Sequence, residues 1–176
     1  HTNEIAQAEA ATGKQFVKYW LHGEFLVVDK GKMAKSGENF VTVASLKAAG
    51  IPPLAYRLFC FSAHYRSPLT YSIDGVKAAA SSLLNLRKAF AGTEGGAVAD
   101  GVLVDAALAD FYAAVYDDLN MPRAIAALWD LARDGTLAPE VRRAAAARAD
   151  EILGLDLLLP VEQAVADSYT GENGKA

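Results

Sequence analysis

From Pro53 onward, apolar residues recur at helical spacing in Ala-rich segments separated by short Gly, Pro and Asn breaks, and this pattern most narrows what the chain can fold into. Leu54, Leu58, Phe59 and Phe61 predict a helix that ends before Ser67-Pro68. Residues 74–91 predict a second, with Asp74 at its start and Arg87, Lys88 and Gly92 at its end, as the helix dipole favours. After a Gly-rich connector over 93–101, residues 102–119 predict one long helix with apolar positions 104, 108, 111, 112 and 115. Asn120 is expected to cap a helix carrying Pro122 in its first turn and reaching Arg133, and Pro139 to open another to about Leu153. A short last helix begins near Val161 and gives way to a polar tail that is expected to fray. Ala-rich helices on short connections pack antiparallel, so a bundle should supply most of the buried area.

Ahead of the bundle the periodicity changes. Residues 5–12 predict a short helix stopped by Gly13. Phe16, Val17, Tyr19 and Trp20 predict a strand-like buried segment, and residues 25–28, aromatic and β-branched, a second strand. Residues 29–38 lose all periodicity and carry Lys30, Lys32 and Lys35, which reads as a loop. A brief strand over 40–43 and a helix capped by Ser45 and ended by Gly50 complete this region. The fold class expected is mainly α, an antiparallel helical bundle preceded by a small α/β region.

With 176 residues, 52% of them hydrophobic and 22% charged, the chain is long and apolar enough for a folded core. No run of 18 apolar residues occurs, which excludes a membrane-spanning helix. Residues 1–92 carry 11 Lys and Arg against 6 Asp and Glu, while residues 93–176 carry 6 against 15, so a polyanion would meet the first half. The single cysteine, Cys60, cannot close an internal disulfide and points to a reducing compartment, the cytoplasm being the simplest. The start, without an initiator Met or a basic leader, looks like a cut inside a longer chain.

Lys32 and Lys35, three apart on a loop after a strand, are the strongest chemical signal. Such ammonium groups can reach the oxygens of a reacting phosphate, where fixed cations stabilise developing charge. A solvated lysine loop gives the same spacing. The neighbours discriminate. Lys32-Met33-Ala34-Lys35-Ser36 resembles the lysine-rich signature loop of class I aminoacyl-tRNA synthetases. Its flanks, Tyr19-Trp20-Leu21-His22-Gly23 and Asn39-Phe40-Val41-Thr42-Val43, are similar to those in the cysteinyl-tRNA synthetases. So are the opening run through Asn3-Glu4-Ile5-Ala6-Gln7, the segment His64-Tyr65-Arg66-Ser67-Pro68, and Asp117-Asp118-Leu119-Asn120-Met121-Pro122. The resemblance runs nearly continuously from residue 1 to about 159.

The resemblance implies activation of cysteine by ATP and transfer of the cysteinyl group to tRNA-Cys. It divides the chain into the end of a Rossmann-like catalytic domain (1–24), a signature-loop and stem-contact region (25–64), a helical bundle (65–160) and a flexible tail (161–176). It gives Lys35, supported by Lys32, the ATP phosphates, counts Val27 and Val28 among the ATP-binding residues, and implies Mg2+ as a cofactor beside ATP. It makes Glu4 one ligand of a cysteine-selecting zinc ion whose other ligands lie outside this chain. Arg66 is a tRNA phosphate contact by the same resemblance, or else the partner of a bundle carboxylate. His22 either donates to a substrate or fills a niche beside Trp20. Departures from the usual pattern are Ala34 in place of Ser and Gly37-Glu38 in place of Leu-Gly, the last placing a carboxylate near incoming phosphates. The expected protein is a cytoplasmic monomer with no membrane contact, not competent alone because the ATP-binding half is missing. Two alternatives stand beside it: the related cysteine ligase of mycothiol synthesis, and a non-catalytic helical module that binds tRNA or a partner.

Overall fold

The computed structural model describes residues 1–28, 42–93 and 98–169. In chain order these form α1 (Thr2–Thr12), β1 (Leu26–Val28), α2 (Val43–Ala48), α3 (Pro53–Cys60), β2 (Leu69–Tyr71) and α4 (Ile73–Ala91). Then come α5 (Gly101–Ala107), α6 (Ala109–Tyr116), α7 (Met121–Arg133), α8 (Pro139–Leu153) and α9 (Val161–Tyr169). The fold is mainly helical with a small α/β region ahead of the bundle, as the periodicity implies. Among the described residues no helix is long and apolar enough to cross a membrane.

Asn120 caps α7 as anticipated, its side chain accepting the Arg123 N–H, while α4 starts at a cap the sequence reading did not name, Ser72 accepting the Gly75 N–H; each satisfies a donor that the first helical turn leaves free. Four differences are informative. Phe16, Val17, Tyr19 and Trp20 form no strand, because no neighbouring strand among the described residues offers them a hydrogen-bonding edge, and Tyr19 is 91% exposed. Thr42, not Ser45, caps α2: the two side chains form a reciprocal capping box, which makes Val43 helical rather than the end of a strand. The helix expected over 102–119 breaks at the buried Leu108, since its two halves serve different neighbours, α5 packing on α8 and α6 on α7. Strand β2, absent from the expectation, pairs in parallel with β1 in the register Leu26 to Leu69, Val27 to Thr70 and Val28 to Tyr71. The loop over 29–38, Phe40 and Val41, and the polar tail from 170 on lie outside the described residues.

Two cores meet at α3. Leu58 faces the large one with Leu83, Leu86 and Phe90 of α4, Phe111 of α6, Leu128 of α7 and Leu153 of α8. Its neighbour Phe59, roughly 100° further round the helix, enters a smaller cluster with Leu46, Ile51, Ala55, Tyr71 and Val76. Helix α3 thus joins the sheet region to the bundle by burying adjacent stripes in the two cores.

Beyond α8 the chain folds back over α4. Leu155 and Leu157 are buried, and Asp150 accepts both of their N–H groups, at 2.7 and 3.0 Å. Gly154 makes that turn with φ +58°, and a Cβ there would stand 2.5 Å from Nη1 of Arg57, which donates to the Leu153 carbonyl. Gly154→Ala is expected to cost about 1–2 kcal/mol, the left-handed penalty plus the displaced arginine. Thermal unfolding should then shift down by roughly 5 °C. An unchanged midpoint would show that the turn relaxes freely.

Candidate active site

Lys32 and Lys35 lie outside the described residues, so the structure defines their approach rather than their positions. The approach is β1. Val27 and Val28 are its last two residues, paired with Thr70 and Tyr71, and Val27 is half-exposed. The strand is held at its start as well as along its length. Glu24 donates its N–H to the Tyr65 carbonyl at 2.7 Å, and Leu69 donates to the Phe25 carbonyl at 3.2 Å.

Tyr65 sits in the turn between α3 and β2, and that turn is gripped from the bundle. Asp118, in the connection from α6 to α7, accepts from Tyr65 Oη at 2.7 Å, from Arg66 Nε at 2.7 Å and from Arg66 Nη2 at 3.3 Å. His64 Nε2 stands 3.9 Å from the same carboxylate, and the Arg66 guanidinium lies over the Tyr65 ring. Of the two readings of Arg66, the bundle-carboxylate pairing is present, with the side chain two-thirds exposed at 66%. Asp118 and Leu119 both have positive φ, 53° and 55°. Aspartate tolerates that conformation and leucine rarely does, so the turn is sustained by what surrounds it. Asp117 points elsewhere, to Arg123 at 3.5 Å.

Hydrogen bonds from Arg66 and then from Tyr65 hold the Asp118 carboxyl below the ordinary aspartate value of 3.8. The Tyr65 phenol is pushed up, chiefly because its proton is held by Asp118. A carboxyl with a lowered pKa stabilises the fold above its unfolded value, and that contribution disappears as pH falls through the lowered one. The melting-point gap between the protein and its Asp118→Asn variant should therefore be constant at neutral pH and shrink as pH falls past the ordinary aspartate value of 3.8. A gap that persists in acid would mean that the charge of Asp118 contributes nothing.

Glu4 lies in the first turn of α1, exposed, with His1 Nδ1 3.6 Å from its carboxylate. His1 stacks on His22 at 4.8 Å and on Trp20 at 5.2 Å, and His22 lies beside Trp20 at 5.9 Å. Tetrahedral zinc takes four donors. Glu4 and His1 are two, and among the described residues no group of three or more His, Cys, Asp or Glu is arranged to hold a metal ion. These residues alone do not fit the metal. Cys60, half-buried on α3, has its thiol pushed up by burial and drawn back in part by a hydrogen bond with Tyr56.

The residue that sequence reasoning passed over is Asp118, read only as an acidic helix end. Its partners are 52 and 53 positions away, a separation that carries no local signal.

Comparison with known proteins adds the family. Residues 1–81 match the class I (C) tRNA synthetase catalytic domain, and residues 110–157 match the DALR domain. The chain is 45% identical over 159 residues to cysteine–tRNA ligase 1 of Burkholderia lata, covering 89% of this chain and 33% of that protein. To the cysteine–tRNA ligase of Treponema denticola it is 35% identical over 90% of its own length and 37% of the relative's. For the cysteine–tRNA ligase of Alkalilimnicola ehrlichii the values are 44%, 76% and 29%. The chain thus spans about a third of the length of these curated relatives. With a catalytic-domain match and a DALR match in order on one polypeptide, and this identity across most of it, the chain belongs to the cysteine–tRNA ligase family.

Proposed function

We propose that the chain serves cysteine–tRNA ligation as the signature-loop and bundle portion of a larger cytoplasmic ligase, and that it does not activate cysteine alone. The observation that carries this reading is the identity of 45% over 89% of the chain to a cysteine–tRNA ligase. A physical observation supports the division of labour. Helix α1 buries none of its residues, and in the segment after it Phe16 and Trp20 are nearly half exposed and Tyr19, Leu21 and Phe25 mostly so. Exposed large apolar side chains in that number mark a surface that another part of a protein covers. A two-stranded parallel sheet is likewise the margin of a larger sheet far more often than a unit by itself.

In this reading a cysteine carboxylate oxygen attacks the α-phosphorus of ATP, pyrophosphate leaves, and the cysteinyl group then passes from AMP to the 3′ end of tRNA-Cys. Lys35, supported by Lys32, places positive charge against the phosphate oxygens as the pyrophosphate separates, beside the Mg2+ that accompanies ATP. Val27 and Val28 set the direction from which the loop leaves the sheet. Glu4 would supply one donor to a zinc ion that selects the cysteine thiolate, a site that Glu4 does not complete with the other described residues. Arg66 is paired with Asp118 through Nε and Nη2 and keeps its side chain 66% exposed, so a tRNA phosphate contact would be made from Nη1.

The test is cysteine-dependent ATP–pyrophosphate exchange by the full-length ligase alongside its Lys35→Ala variant. Exchange that requires cysteine and collapses in the variant supports the reading. A full-length protein with no exchange overturns it and leaves a helical binding module.

A further inference from the structure

Between α7 and the α5–α6 pair runs an open groove of about 620 Å3 that no step of the proposed reaction uses. Two helical stripes form its walls. Leu103, Ala106, Ala107 and Asp110 follow the spacing i, i+3, i+4, i+7 across α5 and the first turn of α6. Arg123, Ala126, Ala127 and Asp130 repeat that spacing on α7. An outward helix face ordinarily carries long polar side chains. Here Ala106 and Ala126 are exposed, Ala107 and Ala127 half-buried, and Leu103 is 53% exposed, which leaves a low apolar floor.

The rim of the groove is acidic. Asp110, Asp130 and Asp134 stand on it, while Arg123 turns to Asp117 at 3.5 Å. Among the described residues neither Asp110 nor Asp130 forms an ion pair. Asp134 accepts the Thr136 N–H at 2.8 Å and its hydroxyl at 2.6 Å, bonds that favour the charged carboxylate. The groove also lies in the half of the chain with 6 Lys and Arg against 15 Asp and Glu. RNA and anionic surfaces are therefore repelled from it, and a cationic partner is drawn in. The geometry points to this groove as the docking site of a basic amphipathic helix from a partner protein. Its apolar stripe would lie on the alanine floor and its Lys or Arg side chains against Asp110, Asp130 and Asp134. Shape favours a helix as occupant. Without side-chain bulk on the floor a helix axis can approach to about 8 Å, and from Arg123 to Asp134 the wall runs roughly 16 Å, about three helical turns. None of these residues takes part in the chemistry proposed for the lysine loop.

Two synthetic helical peptides of roughly 14 residues test this on the full-length ligase by fluorescence anisotropy and sedimentation. Both carry leucines at every third or fourth position; one flanks them with lysines and the other with glutamates. The lysine peptide should bind with a Kd of about 10–100 μM, and the glutamate peptide at least about 10-fold more weakly. The double variant Asp110→Asn/Asp130→Asn should weaken the lysine peptide about 10-fold. Ala126→Gln, which fills the trough without changing its charge, should weaken it about 5-fold. Glu151→Gln/Glu162→Gln removes the same charge from exposed positions on α8 and α9, and should change binding by less than about 2-fold. Equal binding of the two peptides, no binding of either, or an equal loss in the Glu151→Gln/Glu162→Gln variant would overturn the proposal. So would a wild-type ligase that sediments as a dimer and an Ala126→Gln variant that sediments as a monomer, since a second copy would then fill the groove. Should the double aspartate variant fail to fold, Asp130→Asn alone carries the comparison, with about a 3-fold loss expected and none overturning the proposal.

Discussion

Lys35→Ala is expected to lower kcat for cysteine-dependent ATP–pyrophosphate exchange by about 100- to 1,000-fold, the range found when one fixed donor to a developing negative charge is deleted. The reason is electrostatic. The ammonium is worth most where charge accumulates between the α-phosphorus and the leaving pyrophosphate, and much less in the ground-state complex, so kcat falls further than the KM for ATP rises. The KM for cysteine should stay unchanged, since the amino acid is bound by other groups. Lys32→Ala, removing the supporting lysine, should cost less. Lys35→Arg keeps the charge but replaces a compact ammonium with a planar fork, and should restore only part of the rate. A loss of under 3-fold in Lys35→Ala would mean that the loop is the solvated lysine loop its spacing also allows.

Arg87→Leu should produce the largest loss of stability. Arg87 is only 5% exposed, on the inner face of α4. It donates from Nε to the Asp156 carbonyl at 2.9 Å and from Nη2 to the Leu155 carbonyl at 2.7 Å. These are the carbonyls of the segment that carries Leu155 and Leu157 into the core, so the guanidinium holds down the chain that covers the end of the bundle. Leucine relieves the cost of burying a charge but leaves two carbonyls without these donors, each about 1–3 kcal/mol, for a net of roughly 3 kcal/mol. At about 3 °C per kcal/mol, the thermal midpoint should fall by roughly 10 °C. Arg87→Lys keeps the charge but cannot span both carbonyls, and should lose about half as much. A midpoint within 2 °C of wild type would show that the 154–157 segment is held by its leucines and by Asp150 alone.

The elements of the bundle were readable wherever their signals were local. Ser72-Ile73-Asp74, Asn120-Met121-Pro122 and Ala138-Pro139 start helices because a capping side chain, an early proline or an acidic first turn solves the unsatisfied-donor problem within four residues. Readability failed where the deciding partner was distant. Leu69-Thr70-Tyr71 has the composition of a strand, but three residues become one only through the edge of β1, more than 40 positions earlier. Phe16, Val17, Tyr19 and Trp20 have a similar composition but pair with no strand among the described residues, so they remain irregular, with Phe16, Tyr19 and Trp20 exposed and Val17 partly buried. Of the candidate residues, Lys32, Lys35, Glu4 and Arg66 stood out by motif, while Asp118 did not.

What the sequence by itself determined is therefore the helical class, the capped starts and glycine stops of the helices, and the family through ordered segments from residue 1 to about 159. Each of these depends on interactions within a turn or two of the chain or on residue order alone. Only the tertiary structure decided that 102–119 splits at Leu108 to meet two partners, that adjacent stripes of α3 enter two separate cores, and that one exposed aspartate grips the turn before β2. Those outcomes depend on which surfaces meet once the chain has collapsed, and a bond between residues 66 and 118 leaves no periodicity in the 51 residues between them.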